Sequence, residues 1–368
     1  MTLIIEKWDL HPLHLRYHRP LRWASMEEKG ADFLLLVLHS KDGHTGVAEA
    51  SVRVEWAGVN LAALMVVLNE IFLPRLKGVD ISDLVATDRI ISRIPEQSLA
   101  KSVVDSACWD MRAQAAGSPL WQYLGGRQAV PVSWILARQA PEIMADEAGQ
   151  ITGDHGIRTL KLKTGQGLEK DRQMLRLVRE TVGEDVQLYA DANSYYDPDD
   201  IVPYTELLTE VGCVMSEDPC TIMPDDAGRL VCEASIVPIM IDKHCRNYFQ
   251  AQTYLKWGAD AISVKYPKSG ISESLLILDQ ADLAGAQAPL GLSANSSFGS
   301  LSTLSLAATR PPVDNLLPAE ESFFLQLKDD YITEPLRLAD GIITLPDTAG
   351  AASLVDWDKV RAFEVAPR

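Results

Sequence analysis

Hydrophobic and polar positions divide the chain at about residue 125. Before that point, "ADFLLLVLHSKDGHTGVAEA" predicts two strands joined by a turn at Asp42-Gly43. "NLAALMVVLNEIFLPRLKG" and "LAKSVVDSACWDMRAQAAG" have the apolar pattern of helices, the first with Pro74 near its end and the second closed by Gly117. Together these elements predict a small α+β unit.

From about residue 130, short apolar strands alternate with helical segments. The eight predicted strands are VPVSWILA, IRTLKLKTG, VQLYADAN, CVMSEDP, PIMIDKH, AISVKYP, APLGLSAN and NLLPAEESF. Eight strand–helix units favour a closed barrel of parallel strands. A doubly wound open sheet is the alternative, but no glycine-rich dinucleotide fingerprint follows the first strand.

The tail "LADGIITLPDTAGAASLVDWDKV" resumes strand and turn character, which predicts that it packs back on the N-terminal unit. We therefore predict three segments. They are an α+β unit at 1–127, a barrel at 128–325 and a returning C-terminal segment at 326–368.

Composition excludes several classes of function. The 368 residues carry a net charge of −17, which argues against nucleic acid or an anionic membrane as partner. Five irregularly spaced cysteines indicate a reducing compartment, so we expect a cytoplasmic protein. The N-terminal stretch has no signal-peptide pattern, and no segment reaches the roughly 18 apolar residues of a membrane span.

Polar side chains interrupt the predicted strands near their C-terminal ends. They are Lys161 and Lys163, Asp191 and Asn193, Glu217, Asp242, Lys265, Asn295 and Glu320. From Lys163 onward, one such position follows another after 23 to 30 residues, which is the length of one strand–helix unit. In a barrel of parallel strands these positions meet at the rim where active sites lie.

The residue types at this rim indicate metal-assisted proton chemistry. Asp191, Glu217 and Asp242 would repel one another unless a cation lay between them, and oxygen-only ligands favour Mg²⁺. A lysine near a divalent cation and a second lysine should have a lowered pKa, which makes Lys163, with Lys161 beside it, a usable general base. Any one of these residues alone is more often a solvated lysine or a turn cap, so the hypothesis depends on the ordered set.

The ordered set resembles the enolase superfamily, in its muconate-lactonizing-enzyme-like branch (the mandelate racemase/muconate lactonizing enzyme family). The matching stretches are "KLK", "DAN", "EDP", "IDK", "SVKYPKSG", "SACWDMRAQAAGSPLWQYLGG" and "DGIITLPDTAG", and the resemblance covers nearly the whole chain. It implies a modified TIM (β/α) barrel under an α+β N-terminal capping domain that the C-terminal tail completes.

The resemblance also implies a chemistry: an Mg²⁺-bound small-molecule carboxylate substrate loses its α-proton to give an enediolate. By this likeness Asp191, Glu217 and Asp242 are the metal ligands. Lys163 and Lys265 serve as acid and base on opposite faces of the substrate, and Lys161 tunes Lys163. Assembly as a homo-oligomer is expected by analogy only.

Two departures from the family pattern bear on the substrate. The eighth strand has "AEES" in place of the paired aspartates of dipeptide epimerases, so Glu320 is the candidate to hold a substrate ammonium. Lys243 and His244 follow Asp242 where the family usually has an acidic residue. "GLSANSSFG" contains no histidine, which argues against acid-sugar dehydration through a His–Asp pair.

Substrate-binding candidates lie at the rim and in the N-terminal unit. They are Asn193, Lys268, Glu320, Asn295, Arg22 and Trp23. The last two belong to residues 16–30, a predicted loop rich in cations that would clamp a second anionic group of the substrate; a solvated surface loop is the equal alternative.

Three functions fit these residues. A racemase or epimerase of an amino-acid derivative would use both lysines for proton transfer. A lyase or cycloisomerase would use one of them to form the enolate while a β-group leaves or adds. A catalytically inactive binding protein of the same fold is the third, and the intact set of lysines and carboxylates argues against it.

Overall fold

The structure is a computed structural model that describes residues 2–23, 26–310 and 316–367, and within these it leaves the side chains of residues 22, 23, 26 and 56 undescribed. The strands are β1 (Ile5–Trp23), β2 (Met26–Ser40), β3 (Thr45–Val52), β4 (Ala129–Pro131), β5 (Trp134–Leu136), β6 (Thr159–Lys163), β7 (Gln187–Asp191), β8 (Cys213–Glu217), β9 (Ile239–Ile241), β10 (Ala261–Ile262), β11 (Arg337–Ala339) and β12 (Ile342–Thr344).

The α-helices are α1 (Val54–Ala57), α2 (Leu61–Val67), α3 (Leu73–Leu76), α4 (Leu84–Ser92), α5 (Ser98–Ala115), α6 (Leu120–Tyr123), α7 (Pro141–Asp154), α8 (Leu168–Val182), α9 (Ile201–Glu210), α10 (Asp226–Ala234), α11 (Tyr248–Lys256), α12 (Tyr266–Ala284), α13 (Ser297–Ala307) and α14 (Trp357–Phe363). A π-helical turn at Leu68–Phe72 joins α2 to α3, so the predicted apolar helix forms with a wider turn just before Pro74. Short 3₁₀ turns occur at Pro198–Asp200, Phe323–Gln326 and Ala351–Leu354.

The N-terminal unit is an antiparallel sheet in the order β1-β2-β3, with α5 packed beside β3. Strand β2 is buried on both faces, because Leu34, Leu36 and Leu38 enter one apolar cluster while the residues between them enter another. One cluster lies under the helices of this unit and the other is continuous with the barrel. Burial on both faces explains why β2 is a continuous apolar run rather than an alternating one.

The prediction of a cation-rich loop at residues 16–30 is wrong. Residues 16–23 and 26–30 belong to strands β1 and β2, with Leu21 opposite Glu28 and Trp23 opposite Met26. The alternation of a strand is hidden here by charged side chains on the exposed face, and only pairing with β2 shows that the segment is extended.

The barrel forms as predicted. Strands β5 to β10 make one parallel ladder in chain order. Two short segments close it: Val264 bridges Leu290, the N–H of Glu320 donates to Leu290 O at 2.8 Å, and Ala319 bridges Val132 beside β5. Closure of the ring excludes the open doubly wound sheet, and the seventh and eighth predicted strands contribute single bridges rather than long ladders.

The inside of the barrel is filled in layers. Tyr189, Met215, Met240, Ala261 and Leu317 form a buried apolar cluster. Side chains alternate along a strand, so the next inward position lies two residues further on. Two residues beyond Tyr189, Met215 and Met240 lie Asp191, Glu217 and Asp242. An apolar plug therefore supports the carboxylates from below.

The tail returns in two steps. Strands β11 and β12 form a hairpin whose second strand pairs with β4, at the entrance to the barrel. Beyond it, Glu364 bridges Leu13 of β1 and α14 packs beside that strand, so the chain ends on the N-terminal sheet. The tail thus completes the capping domain, as predicted, and also pairs with the strand that leads into the barrel.

In the described part of the chain, helices long and apolar enough to traverse a lipid bilayer are absent. The cysteines are free: Cys108, Cys213, Cys220 and Cys245 are buried and Cys232 is half-buried.

Candidate active site

Adjacent strands place the predicted carboxylates side by side. Lys163 on β6 is in register with Asp191 on β7, and Asp191 is in register with Glu217 on β8. Glu217 in turn pairs with Met240 on β9, so Asp242 lies two residues further along the same face. All three carboxylates are buried, with exposures of 0 %, 0 % and 7 %. We call Lys161, Lys163, Asp191, Glu217, Asp242 and Lys265 the lysine–carboxylate layer.

Lys161 lies at the centre of this layer. Its Nζ is 2.5 Å from Glu217 Oε2, 3.2 Å from Asp191 Oδ2 and 2.9 Å from Glu320 Oε1. Burial lowers the pKa of Lys161, but the three carboxylates outweigh it and hold that pKa well above the usual value. Lys161 is therefore a fixed positive charge in the middle of the barrel.

Lys163 and Lys265 lie at opposite ends of the row. Lys163 Nζ is 2.5 Å from Asp191 Oδ2 and 3.3 Å from Asn193 Oδ1. Lys265 pairs with Asp242 Oδ2, and Lys268 donates to Asp242 Oδ1 at 2.7 Å. The two predicted acid–base residues thus flank the carboxylates from the second and the sixth strand.

The charges of the layer follow from its contacts. Burial raises the pKa of Asp191, but Lys163 and Lys161 outweigh burial and lower it. Burial also raises the pKa of Asp242, but Lys265 and Lys268 outweigh it and hold that pKa well below the usual value. Burial and the charge of Asp191 raise the pKa of Glu217 well above its usual value.

The pKa of Lys265 is governed by the carboxylates around it. The Asp242 and Glu217 carboxylates raise the pKa of Lys265 above its usual value, although burial opposes them. Among the protein's own groups the Asp242 carboxylate raises this pKa most, because it forms a direct ion pair with Lys265.

The carboxylates fit a hard divalent cation by their chemistry. They supply only oxygen donors, and fully buried Glu217 has one charged partner among the described residues, Lys161 at its Oε2, while its Oε1 accepts no hydrogen bond. The described residues contain no group of three His, Cys, Asp or Glu side chains that converges on one ion position. In the layer, lysine ammonium groups lie between the Asp191, Glu217 and Asp242 carboxylates. A cation would take over the neutralising role of those ammonium groups.

The remaining predicted residues fall into three groups. Asn193 and Lys268 contact the layer, through Lys163 and Asp242. Asn295 does not: its amide bonds Thr303 and Glu321 in a separate buried network, so its contacts do not support a substrate-binding role. The side chains of Arg22 and Trp23 lie outside the described part of the chain.

Glu320 contacts the layer through Lys161, and its hydrogen-bonding capacity is fully used. Its oxygens accept hydrogen bonds from Lys161 at 2.9 and 3.1 Å, from Tyr189 OH at 2.8 Å and from Leu292 N–H at 2.9 Å. A carboxylate has about four lone-pair positions, and four contacts fill them. Glu320 therefore holds Lys161 rather than presenting an open acceptor for a substrate ammonium.

Sequence reasoning missed two supporting residues. Asp218 accepts the backbone N–H groups of Asp242 and Lys243 at 3.2 and 2.8 Å, which fixes the end of β9. Gly291 leaves room for Lys265, since a Cβ there would lie 3.0 Å from Lys265 Cε and 2.3 Å from Ser263 Oγ. Asp218 stands in "EDP" next to the candidate ligand Glu217, whereas no local signal distinguishes Gly291.

Comparison with known proteins agrees with this fold. Residues 143–359 match the family described as Enolase C-terminal domain-like, and residues 7–125 match the Mandelate racemase / muconate lactonizing enzyme, N-terminal domain. The chain therefore belongs to the enolase superfamily, and within it to the mandelate racemase/muconate lactonizing enzyme family.

Three relatives show the range of this family. The N-succinylamino acid racemase of Thermus thermophilus is 31 % identical over 300 residues, which cover 79 % of this chain and 78 % of the relative. The structure of a muconate lactonizing enzyme from Mycobacterium smegmatis complexed with muconolactone superposes with a TM-score of 0.92 at 25 % identity over 100 % of both chains. The structure of the dipeptide epimerase of Cytophaga hutchinsonii complexed with Mg and D-Ala-L-Val has a TM-score of 0.89 at 25 % identity and covers 98 % of this chain and 99 % of its own.

Proposed function

We propose that this enzyme is a Mg²⁺-dependent racemase or epimerase that acts at the carbon α to a carboxylate in an amino-acid derivative. The observation that carries the proposal is the placement of Lys163 and Lys265 at opposite ends of the carboxylate row. A substrate centred on that row would have one lysine on each side of its α-carbon. Inversion of configuration requires a proton to leave from one face and return to the other.

Asp191, Glu217 and Asp242 would hold the metal ion. The support is their oxygen-only donor set, the buried Glu217 Oε1 that accepts no hydrogen bond from the described residues, and the Mg in the solved dipeptide epimerase. When bound, Mg²⁺ supplies Lewis-acid stabilisation of the negative charge that develops on the substrate carboxylate.

The chain's own residues would carry the proton. Neutral Lys163 Nζ takes the α-proton from one face, and the ammonium of Lys265 returns a proton to the opposite face; the reverse direction exchanges their roles. Lys161, clamped by Glu320 and Glu217, stays charged and adds positive potential beneath the developing enolate. The apolar plug below the layer keeps water away from the inner side of the site.

A cycloisomerase is the second candidate, favoured by the close superposition on the muconate lactonizing enzyme. The same lysines would serve it, one as acid or base and the other as an electrostatic group. The two candidates differ in the fate of the carbon skeleton, which racemisation preserves and cycloisomerisation or elimination changes.

Proton NMR in D₂O with Mg²⁺ tests the proposal across amino acids, N-acyl amino acids, dipeptides, hydroxyacids and muconate. We expect loss of an α-proton signal with an unchanged carbon skeleton and inverted configuration. A lactone or new vinylic signals would favour the second candidate. A metal-loaded protein that exchanges no α-proton and forms no product would instead be a binding protein of this fold.

A further inference from the structure

Helix α5 of the capping domain packs against α12 of the barrel, and α12 begins directly after Lys265. On α5, Ser102 Oγ donates a hydrogen bond to the backbone carbonyl of Tyr266 at 2.8 Å. Tyr266 is fully buried and follows Lys265 in the chain. The capping domain therefore holds the backbone one residue away from a group that the proposed proton transfer uses.

One turn further along α5, Asp105 holds the same part of α12 at a second point. Its Oδ2 accepts the N–H of Ser272 at 2.8 Å, and its Oδ1 accepts the Ser272 hydroxyl at 2.6 Å. Trp109 Nε1 also donates to that hydroxyl, at 2.8 Å. Asp105 is 7 % exposed, and a hydrogen bond in such a buried place is stronger than in water. The contact is thus a specific polar clamp and not only apolar packing.

The backbone of α12 departs from helical geometry where it meets this clamp. Gly270 has φ 70° and ψ −173°, a conformation that glycine adopts without strain. A Cβ at this position would lie 2.8 Å from Asp105 Oδ2 and 3.3 Å from Ser102 Cα. Both the positive φ and the close approach require glycine, so the start of α12 is shaped to fit the surface of α5.

The clamped segment carries two lysines that contact Asp242. Lys265 pairs with Asp242 Oδ2, and Lys268 Nζ donates to Asp242 Oδ1 at 2.7 Å and to its backbone carbonyl at 2.8 Å. The N–H of Lys268 donates to the carbonyl of Lys265 at 2.8 Å, which joins the two lysines in one turn. A displacement of this turn would change where the Lys265 ammonium points.

The segment after Lys163 is held by helices of the barrel instead. Thr164 Oγ1 lies 2.7 Å from Tyr204 OH on α9, and the N–H of Gly165 donates to Asp171 Oδ2 on α8 at 2.7 Å. The two acid–base lysines therefore differ in their support. The capping domain holds the segment of Lys265, and the barrel holds the segment of Lys163.

We infer that Ser102 and Asp105 are positioning residues for Lys265, so that the capping domain controls proton transfer on one face of the substrate and not on the other. This inference rests on the proposed function and gives α5 a role that is separate from substrate binding. The physical reason is that proton transfer requires a close and aligned approach of the lysine, which a small displacement of its backbone disturbs.

The test measures α-proton exchange in D₂O with Mg²⁺ in two single-lysine backgrounds. In Lys163→Ala only Lys265 can exchange the proton, and in Lys265→Ala only Lys163 can do so. Asp105→Asn keeps the shape of the side chain but replaces one acceptor oxygen with an amide donor. We expect it to lower kcat about tenfold in the Lys163→Ala background and by less than about twofold in the Lys265→Ala background, with KM nearly unchanged in both.

Ser102→Ala is the milder second variant, because it removes a single hydrogen bond. It should show the same asymmetry with a loss of about threefold in the Lys163→Ala background. Asp110→Asn is the matched control. Asp110 is also buried on α5, but it accepts the N–H groups of Val47 and Ala351 and does not clamp α12. It should change exchange by the same factor in both backgrounds.

Other outcomes separate the inference from the proposed function. Equal losses from Asp105→Asn in the two backgrounds would mean that Asp105 only stabilises the fold, which overturns the inference and leaves the proposed function standing. Wild-type protein that exchanges no α-proton of any substrate would reject the proposed function.

Backbone deuterium uptake of the Mg²⁺-loaded protein without substrate then decides whether α5 holds the Lys265 segment. Asp105→Asn should speed uptake in peptides that cover residues 265–272 and leave peptides that cover residues 163–171 unchanged. Equal uptake by wild type and variant at residues 265–272 would reject the clamp itself.

Discussion

Two buried acidic clusters in this protein differ in whether their carboxyl groups favour the ionised or the protonated form. In the lysine–carboxylate layer, ammonium groups hold the pKa values of Asp191 and Asp242 below their usual range. In a second cluster, where β3, α13 and the tail meet, Glu49 accepts the N–H of Ser296 at 3.0 Å and the hydroxyl groups of Ser296 and Tyr331. Burial raises the pKa of Glu49 to about 7 and that of nearby Glu321 to about 8.

The comparison shows that burial alone does not decide the charge of an acid. The acids of both clusters are buried, but only the first cluster contains lysines. Neutral hydroxyl and amide donors bond the acids of the second cluster without supplying the positive charge that an ionised carboxylate needs. The first cluster is thus arranged for ionic chemistry, and the second joins the capping domain to the barrel through largely uncharged hydrogen bonds.

The largest expected effect comes from removing the end lysines of the charged cluster. Lys163→Ala and Lys265→Ala should each abolish racemisation, with losses of about 10²–10⁴-fold, because inversion needs both groups. Each variant should still exchange the α-proton of one enantiomer, and the two variants should retain opposite enantiomers. The measurement is α-proton exchange of separate L and D substrates, with exposed Lys170→Ala as the control. Retention of the same enantiomer by both variants would contradict the two-sided arrangement.

Removing the central lysine should mainly affect stability. Lys161→Met leaves Glu217, Asp191 and Glu320 facing one another without their shared counter-ion, so the free energy of unfolding should fall by about 3–5 kcal/mol. Lys163→Met is the matched control, since the Lys163 side chain is 23 % exposed and its loss should cost less. Denaturant titrations measure both. An equal loss of stability in Lys161→Met and Lys163→Met would mean that the central lysine contributes no more than a lysine at the edge of the layer.

The second, uncharged cluster should make the free energy of unfolding decrease as pH rises. Glu321 has a pKa of about 8 in the folded state against 4.5 when unperturbed, so the native state keeps a proton that the unfolded state has lost. This group therefore lowers stability as pH rises from about 4.5 to about 8, with a slope of up to about 1.4 kcal/mol per pH unit.

Glu321→Gln removes that titration. The stability of the variant relative to the wild type should increase with pH over this range, as measured by denaturant unfolding at a series of pH values. A difference that is constant with pH would show that Glu321 is ionised in the folded protein.

The smallest expected effect concerns the position of Lys265. Gly291→Ala would push a methyl group against Lys265 Cε and Ser263 Oγ, at 3.0 and 2.3 Å. We expect about tenfold slower exchange of the enantiomer that Lys265 deprotonates and a smaller change for the other, because a small displacement of an acid–base group is costly. Gly153→Ala is the control, since a Cβ there meets no atom within 4 Å. An equal loss for both enantiomers would indicate a general distortion of the barrel.

Local pattern was sufficient for the barrel and for much of the layer. The predicted strands recur at one unit length with a polar residue at the same place, and parallel strands bring such places together. Local pattern failed for residues 16–23 and 26–30, which are extended because β1 and β2 pair with each other and not because of their charged sequence. It also failed for Asn295, whose amide turns toward Glu321 and Thr303 instead of the lysines.

The sequence by itself determined the order of the lysines and carboxylates, because that order follows from a repeat along the chain. Only the tertiary structure decided which charges meet. Lys161 and Glu320 are 159 residues apart, and their contact exists because the eighth segment closes the ring against the first strand. It also decided the charge state of each acid, since a pKa depends on burial and on the nearest charges, and no local stretch of sequence specifies either of these.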